Sequence, residues 1–183
     1  MIVPTAGVLL IADPFLKDPN FLRTVVFLCE HKEDGSFGFV INRRFENTLD
    51  ELVDGLEGYK IPVYYGGPVE QHSIHLLHQY GDAIPESQEI MRGIYWGGDF
   101  ATVIKMIKNG SMDFSKIRFF IGYSGWGEAQ LDEEMKEKTW LTVAATRKLV
   151  FHPTSNEIWK DAIRQLGGDY EIMVNFPIDP QLN

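Results

Sequence analysis

The apolar residues of this chain gather in short runs, and that grouping limits what it can fold into more than any other feature. Gly7 to Ala12 (GVLLIA), Thr24 to Cys29 (TVVFLC), Phe37 to Ile41 (FGFVI), Ile117 to Tyr123 (IRFFIGY) and Thr139 to Ala145 (TWLTVAA) are rich in Val, Ile and Phe and lack clean polar alternation. Runs of this length are too short to cross a bilayer and fit strands covered on both faces. Glu33 to Ser36 (EDGS) separates two of them with an Asp-Gly pair, the turn chemistry of a hairpin, so at least part of the sheet is antiparallel. Pro62 to Tyr65, Ile74 to Gln79 and Glu171 to Asn175 are weaker strand predictions.

Helices follow from period and capping. Thr48 and Glu51 form a capping box before Leu49, Leu52, Val53 and Leu56, with Gly58 as the stop. Asp99 caps a second helix with Phe100, Val103, Ile104 and Ile107 on one face. Thr154 and Glu157 box a third, which carries Ile158, Trp159, Ala162, Ile163 and Leu166 inward and ends at Gly167. Glu128 to Lys138 reads as a shorter acidic helix with Leu131 and Met135 inward. No linker or repeat divides the chain, so residues 1–183 are expected to form one α+β domain with helices around the sheet.

Charge and cysteine content narrow the function. Seventeen basic against 26 acidic side chains give a net charge of −9, and Arg43, Arg44 and the scattered lysines never form a basic run. Direct nucleic-acid binding is therefore disfavoured, since it rests on cation contacts to phosphate. A single cysteine, Cys29, permits no internal disulfide and fits a reducing compartment, so a cytoplasmic protein is expected. The first 14 residues, MIVPTAGVLLIADP, lack a basic leader and meet Asp13 early, so neither a signal peptide nor a membrane span is expected there.

Several polar groups invite functional readings. Asp18, Asn20 and Arg23 lie in a turn-rich segment where Arg23 suits a carboxylate or phosphate; the plainer reading has Asp and Asn shaping the turns. His72, His75 and His78 recur every third residue, but on a strand they alternate sides, and no metal site is expected. Gly122-Tyr-Ser-Gly-Trp-Gly127 ends a buried strand before a helix, yet Trp126 stands where a nucleophile elbow needs glycine. Ser124 is therefore a weak nucleophile, and Trp126 either lids the core or borders a ligand. Cys29, inside its apolar run, reads as an inert buried thiol. His31 is expected to face Asn42 across the hairpin. No catalytic set assembles from spacing.

Taken in order, DPNFLRTVVFLCEH, GFVINR, VYYGGPV, GIYWGGD, FFIGYSGWGEAQLDEE, TWL and GGDY followed by NFPIDPQLN resemble the bacterial YqgE/AlgH family from about Gly7 to Asn183. The resemblance implies one α+β domain built on a bifurcated, partly barrel-like, mixed or antiparallel β-sheet surrounded by helices. It carries no catalytic residues, and the AlgH name brings a proposed role in transcriptional regulation, although no helix-turn-helix is visible. Two departures stand out: Phe27 and Phe39 occupy usually aliphatic places, and Gly127-Glu-Ala-Gln130 replaces the commoner GxGQ.

The expected function is a non-enzymatic protein with a regulatory role, binding a protein or small-molecule partner through Asn20, Arg23, His31, Asn42, Ser124, Trp126 and Gln130. No cofactor is expected, and a second copy of the chain is an admissible partner through Trp96 or Trp126. Two alternatives stay open: a hydrolase using Ser124 or His31 with a neighbouring acid, and a DNA-binding regulator.

Overall fold

The computed structural model describes residues 1–177. Ten strands follow one another as β1 (Val8–Ala12), β2 (Val25–Lys32), β3 (Gly35–Val40), β4 (Arg44–Thr48), β5 (Pro62–Tyr65), β6 (Val69–His78), β7 (Gln88–Met91), β8 (Ile94–Trp96), β9 (Ile117–Trp126) and β10 (Trp140–Ala144). The helices are α1 (Leu49–Leu52), α2 (Phe100–Lys108), α3 (Gln130–Lys136), α4 (Arg147–Val150), α5 (Ile158–Leu166) and α6 (Tyr170–Met173). All ten strands join one sheet in the order β10-β1-β2-β3-β9-β6-β8-β7, with β4 and β5 branching from β9. Pairing is antiparallel except between β5 and β9.

The branch is made by one long strand that changes partners. Phe119, Phe120 and Ile121 of β9 lie between β5 and β6, whereas Ser124, Gly125 and Trp126 pair with β3. Gly122 sits between the two halves with φ +68°, and Gly66 and Gly67, just beyond β5, cross the strand there. A Cβ on Gly122 would lie 2.4 Å from the Gly67 carbonyl oxygen, and one on Gly67 2.2 Å from the Tyr123 carbonyl carbon. Hydrogen bonds from Val40 N to Gly66 O and from Gly66 N to Ile121 O, both 2.8 Å, tie the crossing together. Only glycine permits backbones to approach this closely.

Strand alternation then fills three cores. Leu9, Ile11, Val25, Phe27, Phe39 and Ile41 face one way and are covered by Leu149, Val150, Ile158, Trp159, Ala162 and Ile163 of α4 and α5. Val8, Leu10, Ala12, Val26, Leu28 and Val40 face the other way, under Leu131 of α3 with Trp126 and Trp140. Ile117, Phe119 and Ile121 meet Val103 and Ile107 of α2 across the second limb of the fork. The apolar runs are therefore buried on both faces, as their composition predicts.

The sheet curls without closing. Strands β10 and β7 end the main path; Gly7 packs beside Met91, yet no pairing joins the two ends among the described residues. The resemblance's bifurcation is present, and the barrel stays open.

Other expectations need correction. The capping box at Thr48 forms, but α1 is one turn: Val53 is extended, and Leu56 is buried from the following loop. Thr154 and Glu157 make no box, because Ser155–Glu157 is a 3₁₀ turn leading into α5 and the Thr154 side chain caps nothing. The Glu171–Asn175 strand is absent; α6 occupies Tyr170–Met173. Gly167 and Gly168, at φ +68° and +58°, return the chain toward α5, and away from a sheet edge its β-favouring residues take the local helix. The NFPIDPQLN motif runs past residue 177 and lies partly outside the described residues.

Candidate functional site

The sequence-predicted polar residues divide between the two ends of the β2–β3 ladder. At one end, Asn42 Oδ1 accepts from Val25 N at 2.9 Å while its Nδ2 donates to Arg23 O at 2.9 Å. Arg23, at φ +51°, lays its guanidinium over the Trp159 ring at 4.6 Å and donates to Phe176 O. Asn20 N donates to Asp18 Oδ1, and Asn20 O accepts from Arg43. These groups close turns and clasp α5.

His31 lies at the other end, about 20 Å from Val25 at roughly 3.3 Å per strand residue. It faces Ser36 rather than Asn42, because the ladder pairs His31 with Ser36 beside the turn while Asn42 lies past the ladder's far end. The register shift between Leu28 and Glu30 sets this pairing. His31 Nδ1 is 2.6 Å from Ser36 Oγ, and Nε2 is 3.5 Å from Asp132 Oδ1. Ser124 is buried between the ends and donates to Gly66 O at 3.0 Å, so its hydroxyl serves the glycine crossing.

Trp126 and Gln130 belong to a second network. Gln130 Oε1 accepts from Gly127 N at 3.0 Å, and its Nε2 donates to Glu134 Oε1 at 3.1 Å. Glu134 Oε2 accepts from both Trp126 Nε1 and Trp140 Nε1, each at 2.8 Å. One carboxylate thus pins α3 to β9 and β10. Nothing in the spacing singles out Glu134, which reads as one more acid on an acidic helix.

A cavity lies beside Trp126, between β3, β6, β8 and β9. It measures about 560 Å³, within the usual range for ligand pockets. Phe37, His75, Trp96 and Tyr123 form its aromatic wall: the Phe37 ring centroid is 5.0 Å from Trp96 and 6.1 Å from Tyr123, and His75 is 5.9 Å from Tyr123. Glu30, Asp34 and Glu70 stand at its edge. His75 Nε2 and Trp96 Nε1 are buried without a hydrogen-bond partner. Burial holds the His75 imidazole below its usual range, against the opposing pull of Glu70, and so favours the neutral ring. Of the seven residues expected to bind a partner or ligand only Trp126 lines this cavity, together with Trp96, the other tryptophan considered for contact with a second copy. The signal available in sequence was the set of isolated aromatics, Phe37, Trp96, Tyr123 and Trp126, scattered over three segments.

The histidine series occupies β6 as a strand, as expected. His78 is buried, with Nε2 2.9 Å from Ser87 Oγ and 3.0 Å from Gly97 O. Among the described residues no group of three metal-ligating side chains converges, and no helix is long and apolar enough to cross a membrane.

A forked, open ten-stranded sheet, locked at a glycine crossing and flanked by helices, places the chain among single-domain α+β proteins. Within that class the chain belongs to the AlgH-like family, whose model matches residues 9–171. A UPF0301 protein of Chlorobium limicola is 42% identical over 177 residues, covering 97% of this chain and 95% of its own. One from Cytophaga hutchinsonii is 38% identical over 180 residues, covering 98% and 99%. The solution structure of AlgH from Pseudomonas aeruginosa superposes with a TM-score of 0.76 at 29% identity, covering 97% of each chain. A crystal structure of a Corynebacterium diphtheriae protein shares the fold at a TM-score of 0.81 and 23% identity, covering 96% of this chain and 94% of that one.

Proposed function

We propose that this is a cytoplasmic, non-enzymatic binding protein with a regulatory role, and that the aromatic cavity beside Trp126 receives its ligand or partner. The observation that carries this reading is the pair of buried nitrogens, His75 Nε2 and Trp96 Nε1, left without partners in the cavity wall. Buried polar atoms without partners are uncommon in native folds, so two of them in residues that line one cavity single out that wall as the place for an occupant. The regulatory role works through that occupant. A net charge of −9 argues against a direct grip on a nucleic-acid backbone.

The test follows the indole N–H signals by NMR while a fragment set is added. Trp96 and Trp126 line the cavity, whereas Trp159 is not among its lining residues and donates to Ala12 O, so it serves as an internal reference. Ligands that move the Trp96 signal and leave that of Trp159 in place support the reading. A diverse set that never moves Trp96 sinks it.

One observation favours a hydrolase as the second reading, with Ser36 in place of Ser124. Ser36 lines the cavity, and its hydroxyl, His31 and Asp132 stand in series. This reading requires a fluorophosphonate probe to label Ser36, and the labelling to vanish in His31→Gln. Binding without catalysis leaves Ser36 unlabelled.

A further inference from the structure

The cavity's walls and edge differ in character, and together they specify a charge. Phe37, Trp96 and Tyr123 line it with aromatic rings, the groups whose electron-rich faces attract cations. At the edge, Glu30 is neutralised by Lys32 at 2.8 Å, but among the described residues neither Asp34 nor Glu70 has an ion-pair partner. Glu70 sits where the β6–β9 register shifts, between Val69 and Ile74, and holds φ +48°. A non-glycine residue in that region is strained, and such strain persists where the surroundings impose it and gathers at functional sites. No arginine or lysine lines the cavity.

We infer that the occupant is the basic side chain of a polypeptide partner, an arginine or lysine whose alkyl stem lies on the aromatic wall and whose cation meets Asp34 and Glu70. This rests on the cavity being the binding site. In a polypeptide the basic residue's own amino and carboxyl groups are held as neutral amides, so it brings only its cation to the two acidic groups. A free amino acid suits the site less well, because its carboxylate would bring a like charge to the two acidic groups. An anionic or purely apolar occupant leaves those carboxylates facing a repelling group or a desolvating one.

The experiment titrates the intact protein with three probes and reads the Trp96 and Trp126 indole signals. N-acetyl-arginine N-methylamide carries the cation and two flanking carbonyls; the matching citrulline compound keeps shape and hydrogen bonding but is neutral; free arginine adds a carboxylate. The arginine amide is expected to bind at least about tenfold more tightly than the citrulline amide, the scale of a desolvated cation–π contact reinforced by carboxylates. Raising the salt should narrow the difference. Equal binding of the two amides overturns the inference yet leaves the cavity as a binding site; no movement of Trp96 with any probe removes the site as well. Free arginine binding as tightly as the amide overturns the polypeptide assignment. Glu70→Gln is expected to weaken the arginine amide about three- to tenfold without changing the citrulline amide. Should that variant fail to fold at its strained position, Asp34→Asn at the exposed turn gives the same reading, and an unchanged preference in it overturns the role of the charges.

Discussion

Replacing Gly122 by alanine tests whether the fork is locked by backbone contact. The residue holds φ +68°, and alanine pays about 1–2 kcal/mol there. The new methyl would also stand 2.4 Å from Gly67 O and 2.9 Å from Val69 O, both backbone atoms. Gly67 cannot retreat freely, because the neighbouring Gly66 bonds β3 and β9 at once. Relieving such a clash costs about 1–3 kcal/mol. The total is about 2–5 kcal/mol, a large part of the 5–15 kcal/mol typical of a folded domain. At about 2–4 °C per kcal/mol for a chain of this size, Tm should fall by roughly 10 °C. Gly58→Ala is the matched control: its φ is +87°, but a Cβ there meets nothing within 4 Å, so it bears the dihedral cost without the clash. Thermal and urea melts of both variants, followed by tryptophan fluorescence, decide the matter. Equal losses in the two would refute the locked crossing.

Other expectations follow from single contacts. Glu134→Leu removes the acceptor shared by Trp126 and Trp140 and should lower stability by about 2–4 kcal/mol in urea melts, whereas Glu134→Gln keeps an acceptor oxygen and should lose less. Burial lowers the pKa of His75 and His78, so the fold binds fewer protons than the unfolded chain; stability is full above about pH 6.5 and falls as the pH drops toward the folded values. His78→Gln should flatten that slope in melts between pH 5 and 7.5. Burial also pushes the Cys29 thiol well up, so a thiol reagent should leave it untouched in the native protein and modify it fully in urea. Duplex DNA at low salt should show negligible binding by fluorescence anisotropy, and tight binding that collapses with salt would restore the DNA-binding alternative.

Much of the fold was legible because burial on both faces leaves a compositional trace. The five apolar runs, the Asp-Gly hairpin and the Asp99 cap, whose Oδ2 accepts from Thr102 N at 3.3 Å, all sit where local chemistry places them. β4, β7 and β8 carry no such trace: they are short and largely uncovered, and although β7 and β8 form a local hairpin, only pairing with β6 ties them to the sheet, as pairing with β5 does β4. The fork was hidden for the same reason. Gly66, Gly67 and Gly122 read as ordinary turn glycines until the chain brings them together across more than fifty residues. At the site, polar residues drew attention for their chemistry, yet Arg23, Asn42 and Ser124 spend it on backbone groups. The cavity is made of aromatics and acids whose meaning depends on juxtaposition, which sequence spacing does not record.

Strand β9 also sets a schedule for synthesis. Strands β3, β5 and β6 each present an edge that only residues 117–126 can pair, and β1 waits further for β10. With translation adding about 5–20 residues per second, roughly 3–12 s separate the appearance of Tyr65 from that of Trp126. During that interval the nascent chain exposes apolar strands it cannot yet shelter.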